Sequence, residues 1–91
     1  MSGGGTPEIS RFFGIVVSVN YDDHDPPHFH AKYGEWSATL EIESLTVQAG
    51  RLPPRATGLV TEWAGVHQEE LRENWNLARR RAPLKRIPPL E

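Results

Sequence analysis

The 91-residue chain is long enough for one domain, and 37% of its residues are hydrophobic, as is typical of a globular protein. Its formal net charge of −2 argues against binding nucleic acid through overall charge alone. Because the chain has no cysteine, disulfides and thiolate chemistry are excluded, and histidine, carboxylate or backbone oxygen must bind any metal.

The start of the chain predicts no fixed structure. Residues 1–7, Met-Ser-Gly-Gly-Gly-Thr-Pro, predict a flexible leader that lacks the charged and apolar parts of a signal peptide. Every apolar run is too short to span a membrane. We therefore expect a cytoplasmic protein with no membrane contact and a single domain over residues 8–90.

The first half of this domain has the pattern of β-strands. Residues 9–20 are β-branched and aromatic and predict one strand, inside which Gly14 indicates a bulge or a close backbone approach. His28–Tyr33 and residues 36–42 alternate between apolar and polar and predict two further strands. Residues 45–47 predict either a short fourth strand or the entry to a turn.

The second half has apolar residues at helical spacing. They recur three or four positions apart from residue 56 to residue 78, which predicts one long helix over residues 54–80, straight or bent near Gly65. Two helices broken at Gly65 or Val66 are the alternative. Three residues of the apolar stripe are expected to be buried against the sheet: Trp63, Leu71 and Trp75.

The remaining apolar residues complete the predicted architecture. Trp36 is expected in the core, and the proline-rich tail, residues 83–91, either packs back through Leu84 and Ile87 or stays free. The predicted fold class is α+β, with a small antiparallel meander of three to four strands packed against one long C-terminal helix.

Residues 21–31, Tyr-Asp-Asp-His-Asp-Pro-Pro-His-Phe-His-Ala, hold three of the four histidines. Residues two apart on a strand point to the same face, so His28 and His30 should project side by side next to the aspartate-rich turn. We expect Asp22 or Asp23 to reach one of the imidazoles. This geometry suits general acid–base catalysis, metal binding or phosphate binding, and it also fits a polar structural corner.

These residues and a few distant ones define the candidate sites. The catalytic candidates are His28, His30, His24 and Asp23. The metal-binding candidates are His28, His30 and Asp22, with zinc, nickel or manganese as the ion. The candidates for phosphate or anion binding are Arg11, Arg79 and Arg80. For His67, at the edge of the helical stripe, a boundary histidine with one hydrogen bond is the simpler interpretation, and a fourth member of the site is the alternative.

Several of these segments resemble the small bacterial family named domain of unknown function 4160. The resemblance covers residues 8–90 and rests on Ile9-Ser10-Arg11-Phe12-Phe13-Gly14-Ile15, Tyr21-Asp22-Asp23-His24, Pro26-Pro27-His28-Phe29-His30-Ala31, Tyr33-Gly34, Glu62-Trp63, His67 and Trp75. The family usually has a proline directly after the first of these histidines, where this chain has Asp25. The resemblance implies the toxin-like half of a toxin–antitoxin pair that acts on RNA, with a small antitoxin-like protein as its partner.

Two hypotheses from different classes remain open. In the first, the protein is an enzyme, in which histidine moves the proton of a ribose hydroxyl and arginine holds the phosphate, or a bound metal assists hydrolysis. In the second, the protein is a non-enzymatic interaction module, and the histidine turn is a structural corner or a metal-binding surface.

Overall fold

Five strands and two helices follow one another along the chain in a computed structural model that describes residues 7–91. Residues 1–6 of the predicted leader lie outside the described residues. The elements are β1 (Glu8–Phe12), β2 (Ile15–Ser18), β3 (His28–Tyr33), β4 (Trp36–Glu41), β5 (Val47–Arg51), α1 (Pro54–Val66) and α2 (Gln68–Arg79). Each strand pairs antiparallel with the next, so the sheet is a meander in the order β1-β2-β3-β4-β5. The α+β class is confirmed.

The predicted strand over residues 9–20 is in fact a hairpin, which corrects the strand count. Phe13 and Gly14 form a two-residue turn with φ of 50° and 80°, the left-handed conformation that the favoured hairpin turns require. The predicted bulge at Gly14 is wrong, and the register irregularity lies between Glu8 and Ser10. A Cβ atom on Gly14 would lie 3.2 Å from Cε1 of Tyr33, so the predicted close approach is present.

The last strand also differs from the prediction for residues 45–47. It begins at Val47 and runs to Arg51, at the edge of the sheet, with all five residues exposed. Gly50 lies inside this strand with φ of 69°, and a Cβ there would come 2.3 Å from the carbonyl oxygen of Ser37. Only glycine fits this backbone position without displacing β4.

The predicted single long helix is wrong, because α1 and α2 are separated at His67. This residue has φ of −113° and ψ of 29°, outside the helical range, while Gly65 lies inside α1. Helical hydrogen bonds still continue through the joint: the His67 N–H donates to the Trp63 carbonyl (3.1 Å), and the Leu71 N–H donates to the His67 carbonyl (3.0 Å). Over residues 7–91, neither helix has the length and apolar character needed to cross a bilayer.

One face of the sheet packs against the helices and forms the core. Trp63, Leu71 and Trp75 are all buried, as predicted. Trp63 contacts Phe12 and Phe29, with ring centroids 5.3 and 6.2 Å apart. The prediction for Trp36 is wrong: it is 39% exposed at the end of the sheet and contacts the Arg51 guanidinium at 5.0 Å, where its indole is stabilised by the cation instead of by burial.

The proline-rich tail packs back onto the domain, which was one of its two predicted arrangements. Ile87 is buried, and its N–H donates to the Ile9 carbonyl (2.8 Å). The Ser10 hydroxyl donates to the Ile87 carbonyl (2.9 Å), and the Trp63 indole N–H donates to the Pro88 carbonyl (2.8 Å). The tail therefore connects the outer side of β1 to α1.

Candidate functional site

The two strand histidines lie together on the sheet, as the period of two predicts. Phe29 and Ala31 on β3 are buried in the core, and the intervening His28 and His30 are half-buried on the other side of the strand. Their ring centroids are 5.2 Å apart and the rings meet edge to face. The His28 ring also contacts Trp75 of α2, with centroids 5.1 Å apart, so the helix fixes one side of the pair.

Asp23 joins both histidines through a single oxygen. Its Oδ2 atom lies 2.9 Å from Nε2 of His28 and 2.9 Å from Nε2 of His30. The side chains are 22%, 13% and 29% exposed for Asp23, His28 and His30, so water reaches the cluster mainly beside His30. The predicted contact between the aspartate turn and an imidazole is confirmed, and Asp23 makes it to both rings.

A neighbouring carbonyl fixes the tautomer of the His28 ring. His28 Nδ1 lies 2.9 Å from the Pro26 carbonyl oxygen, which only accepts hydrogen bonds, so Nδ1 carries the proton. In a neutral His28 ring, the unprotonated Nε2 then faces the Asp23 carboxylate, and two acceptors oppose each other. A proton or a cation between them removes this conflict.

The partners of His30 allow more than one tautomer. Its Nδ1 lies 3.2 Å from the Thr39 hydroxyl, directly opposite on β4, and its Nε2 lies 3.2 Å from Nδ2 of Asn20 as well as near Asp23. A protonated Nε2 donates to the Asp23 carboxylate, which also accepts a hydrogen bond from the Asn20 amide. An unprotonated Nε2 accepts from the Asn20 amide and faces the carboxylate, and in this form it is able to bind a cation that also binds Asp23.

The electrostatics favour a negative charge on Asp23. Burial by itself raises the pKa of this carboxyl, but the hydrogen bond with His30 and the charges of His28 and His30 outweigh burial and lower the pKa below its ordinary value. The cluster is thus an ionised carboxylate placed between two imidazole nitrogens. Such a group attracts a proton or a metal cation.

The donor set fits a divalent transition metal. One ligand atom from each of Asp23, His28 and His30 lies within 4.8 Å of the other two. Nitrogen and oxygen ligands at roughly 2.0–2.2 Å from such a metal are themselves roughly 3–3.5 Å apart, so small side-chain rotations would suffice. Hydrogen bonds from the second imidazole nitrogen to Pro26 and Thr39 are typical of metal-binding histidines.

The other residues of the predicted turn point elsewhere. Asp22, predicted as the carboxylate ligand of the metal, instead forms an ion pair with Arg81, and Asp25 pairs with Arg79 at 2.9 Å. His24, predicted as a catalytic residue, is exposed. These two ion pairs connect the turn to the C-terminal end of α2 and leave Asp23 as the carboxylate that reaches the histidines.

The predicted anion-binding arginines are separate from the cluster, and two of them have carboxylate partners. Arg11 pairs with Glu8 at 2.8 Å, and hydrogen bonds from Arg11 and Arg86 lower the pKa of Glu8 to about 2. Arg79 is paired with Asp25, and Arg80 is exposed after α2.

His67, predicted as an alternative fourth member, lies at the joint between the helices. Its Nδ1 is 2.5 Å from Oε1 of Glu70, and its ring contacts Trp63 at a tilt of 45°, with centroids 5.6 Å apart. Within residues 7–91, the group of potential metal ligands consists of Asp23, His28 and His30 and does not include His67.

Sequence reasoning missed a depression next to His30 on the open face of the sheet. Its volume is about 550 Å³. The polar residues that line it are Glu8, Ser18, Asn20, His30, Lys32, Ser37 and Thr39. Strand register could have identified several of them, because Lys32 follows His30 by two positions and Thr39 and Ser37 lie opposite these two residues.

The fold and the site together define a small α+β protein with a two-histidine, one-carboxylate cluster on the open side of a five-stranded meander. The sequence model of the family described as "Domain of unknown function (DUF4160)" matches residues 14–76. The chain therefore belongs to this family. Comparison with curated proteins and with solved structures gives no match.

Proposed function

We propose that this protein binds one divalent transition metal through Asp23, His28 and His30 and uses it for hydrolysis. The observation that supports this most strongly is the shared Oδ2 atom of Asp23, 2.9 Å from both Nε2 atoms. The proton on Nδ1 of His28 is held by the Pro26 carbonyl, so in the neutral ring Nε2 is a free ligand. Three protein ligands leave further coordination positions open, as in catalytic rather than structural metal sites.

The residues around the cluster have distinct tasks in this proposal. A metal in such a site lowers the pKa of a bound water and supplies a nucleophile near neutral pH. Pro26 and Thr39 orient the imidazoles, and Asp23 supplies the negative charge that holds the cation. Trp75 covers one side of His28, so access is directed toward His30 and the depression.

Toxin-like cleavage of RNA, with a small antitoxin-like protein as partner, is the biological role that the family resemblance suggests for this chemistry. RNA cleavage is a phosphodiester reaction, and metal-assisted hydrolysis is one route to it. The depression beside His30 provides an open surface on which such a substrate could lie.

An interaction module is the competing proposal, and the ion pairs of the turn favour it. Asp22 with Arg81 and Asp25 with Arg79 link the turn to the C-terminal end of α2 through exposed ion pairs, as expected of a structural corner. In that case a proton, and not a metal, lies between His28 and Asp23, and the cluster acts only as a charged hydrogen-bond network.

Metal titration by isothermal calorimetry separates the two proposals. The full chain, freed of metal by chelation, is titrated with zinc, nickel and manganese. We expect one site per chain for at least one of these ions, lost in Asp23→Ala and His30→Ala. Asp22→Ala and His24→Ala are the matched controls from the same turn and should keep the site. If the wild-type chain takes up none of the three ions, or if the controls lose binding equally, the metal proposal is wrong.

A further inference from the structure

A second polar group projects into the depression beside the histidine cluster. Lys32 follows His30 by two positions on β3, so both side chains emerge on the same face of the strand, with their Cα atoms roughly 6–7 Å apart. Ser37 lies opposite Lys32 on β4, and Ser18 lies opposite His30 on β2. An ammonium group and two hydroxyl groups thus lie next to the open side of the proposed metal.

Lys32 lines the depression and has no carboxylate partner within the described part of the chain, residues 7–91. Arg51, opposite Ser37 on β5, has none either, but its guanidinium lies over the Trp36 ring and it does not line the depression. The chain has two lysines, and the second, Lys85, pairs with Glu73 at 2.6 Å. Arg11 and Arg86 both pair with Glu8. An unpaired ammonium in a concave site is a typical contact for a phosphate group.

We propose that the depression binds the phosphoryl group of a phosphate ester between Lys32 and the metal held by the histidine cluster. This inference rests on the proposed metal function for one of its two contacts and on Lys32 for the other. It names the substrate class of the site as phosphate esters. It also moves anion binding from Arg11, Arg79 and Arg80 to a lysine on the sheet.

The charge balance of the depression is consistent with an anionic ligand. A divalent ion on Asp23 leaves a net positive centre, and Lys32 adds a second positive charge beside it. Glu8 also lines the depression and would repel an anion, but its carboxylate is hydrogen-bonded to Arg11 and Arg86. The volume of about 550 Å³ lies within the range of small-molecule sites and admits a phosphate with an attached sugar or nucleoside.

The test is a titration of the full chain with inorganic phosphate, both metal-loaded and metal-free, followed by NMR of the lysine Cε–Hε groups. Because the chain has two lysines, Lys32→Gln and Lys85→Gln assign both signals. We expect phosphate to shift the Lys32 signal and not the Lys85 signal. Loss of this charge-assisted hydrogen bond in Lys32→Gln should weaken phosphate binding about tenfold or more, while Lys85→Gln binds like the wild type.

The possible outcomes test the metal site and the phosphoryl site separately. If Lys32→Gln keeps its metal affinity and loses phosphate, the phosphoryl site is supported. If the metal-loaded wild type binds phosphate no better than Lys32→Gln does, the phosphoryl site is wrong and the metal proposal stands. If the wild type binds no metal, the metal proposal is wrong. A phosphate-dependent shift of the Lys32 signal in the metal-free titration then supports the lysine contact, and the absence of this shift contradicts it.

Two sources of the same chemical group are then compared. An RNA dinucleotide presents an internal phosphodiester, and ribose 5-phosphate presents a terminal phosphomonoester. Binding of the dinucleotide that depends on Lys32 identifies a nucleic-acid backbone as the ligand, and the same result for ribose 5-phosphate identifies a small metabolite. Equal binding of both ligands by the wild type and Lys32→Gln would contradict the phosphoryl site.

Discussion

The side chain of Asn74 makes both backbone hydrogen bonds of Lys85. Its Nδ2 donates to the Lys85 carbonyl (2.9 Å), and its Oδ1 accepts from the Lys85 N–H (2.8 Å). Asn74 is buried in α2, and Lys85 belongs to the proline-rich tail. One side-chain amide thus pairs with both backbone groups of Lys85, as a neighbouring strand would in a sheet. The tail is thus part of the folded domain through a specific contact.

Asn74→Ala is therefore expected to destabilise the protein. It removes two partly buried hydrogen bonds to the backbone of Lys85, at a cost of roughly 1–3 kcal/mol in the free energy of unfolding. Asn76→Ala is the control, because Asn76 is exposed on the same helix. Urea denaturation of both variants measures the difference; equal midpoints would mean that the tail contributes nothing through this contact.

The tryptophans give a second prediction. Trp63 is fully buried and its indole donates to the Pro88 carbonyl, so Trp63→Ala should cost about 3–5 kcal/mol and unfold much of the protein at 37 °C. Trp36→Ala, at a 39% exposed position, should cost roughly 1 kcal/mol or less. Thermal melts by circular dichroism compare the two variants, and a native melting temperature for Trp63→Ala would show that the packing of α1 on the sheet is incorrect.

These two examples show what the sequence could and could not predict. The apolar stripe identified Trp63 because helical periodicity is local, and the pairing of His28 with His30 followed from the period of two within one strand. The Asn74–Lys85 contact joins residues eleven positions apart, after the chain leaves α2 and turns back against it. No local sequence pattern specifies the position at which the tail meets the helix. The prediction for Trp36 is wrong because alternation gives the face of a strand but not whether other elements cover the end of the sheet.

The same reasoning explains the errors in the strands and the site. The turn at Phe13-Gly14 lacks the usual asparagine or aspartate, and apolar residues continue on both sides, so the pattern predicts one strand where the chain forms a hairpin. The choice of Asp23 over Asp22 was not predictable from spacing. In the fold, Asp23 reaches both imidazoles, and Asp22 forms an exposed ion pair with Arg81 beyond the end of α2.

Glycine substitutions provide a third prediction with opposite signs at two positions. Gly50→Ala places a Cβ 2.3 Å from the Ser37 carbonyl oxygen at a φ of 69°, so it should destabilise the protein by roughly 1–3 kcal/mol. Gly58→Ala lies in α1 with no atom within 4 Å of the added Cβ and should stabilise it by about 0.5–1 kcal/mol. Chemical denaturation measures both; a neutral Gly50→Ala would be inconsistent with the β4–β5 geometry.

The acid dependence of stability gives a fourth prediction through Glu8. Arg11 and Arg86 lower the pKa of Glu8 from 4.5 to about 2 in the folded protein. A depressed pKa means that the unfolded chain takes up the proton first, so this contribution is complete above about pH 4.5 and is lost as the pH falls toward 2. Glu8→Gln should therefore reduce the loss of stability over this range, and Glu35→Gln in the β3–β4 turn should not.

Salt provides the control for this interpretation. Glu8 and its arginine partners are at the surface, so added salt should reduce the difference between the wild type and Glu8→Gln. Denaturation curves at several pH values, at low and high ionic strength, measure the effect. A pH profile of Glu8→Gln identical to that of the wild type at low salt would show that the two arginines do not stabilise the folded state through Glu8.

The fifth prediction separates chemistry from structure at the histidine cluster. His30→Ala should abolish metal-dependent hydrolysis of a phosphate ester, because it removes the ligand on the open side, while leaving the fold intact, because the side chain is partly exposed and truncation creates no closed cavity. His24→Ala, an exposed histidine of the same segment, should keep full activity. His28→Ala should lose activity and also some stability, since its ring contacts Trp75.

Parallel thermal melts and hydrolysis assays with the metal identified by calorimetry measure both effects. A stable His30→Ala variant with wild-type activity would eliminate the catalytic role of the pair and leave the cluster as a structural corner.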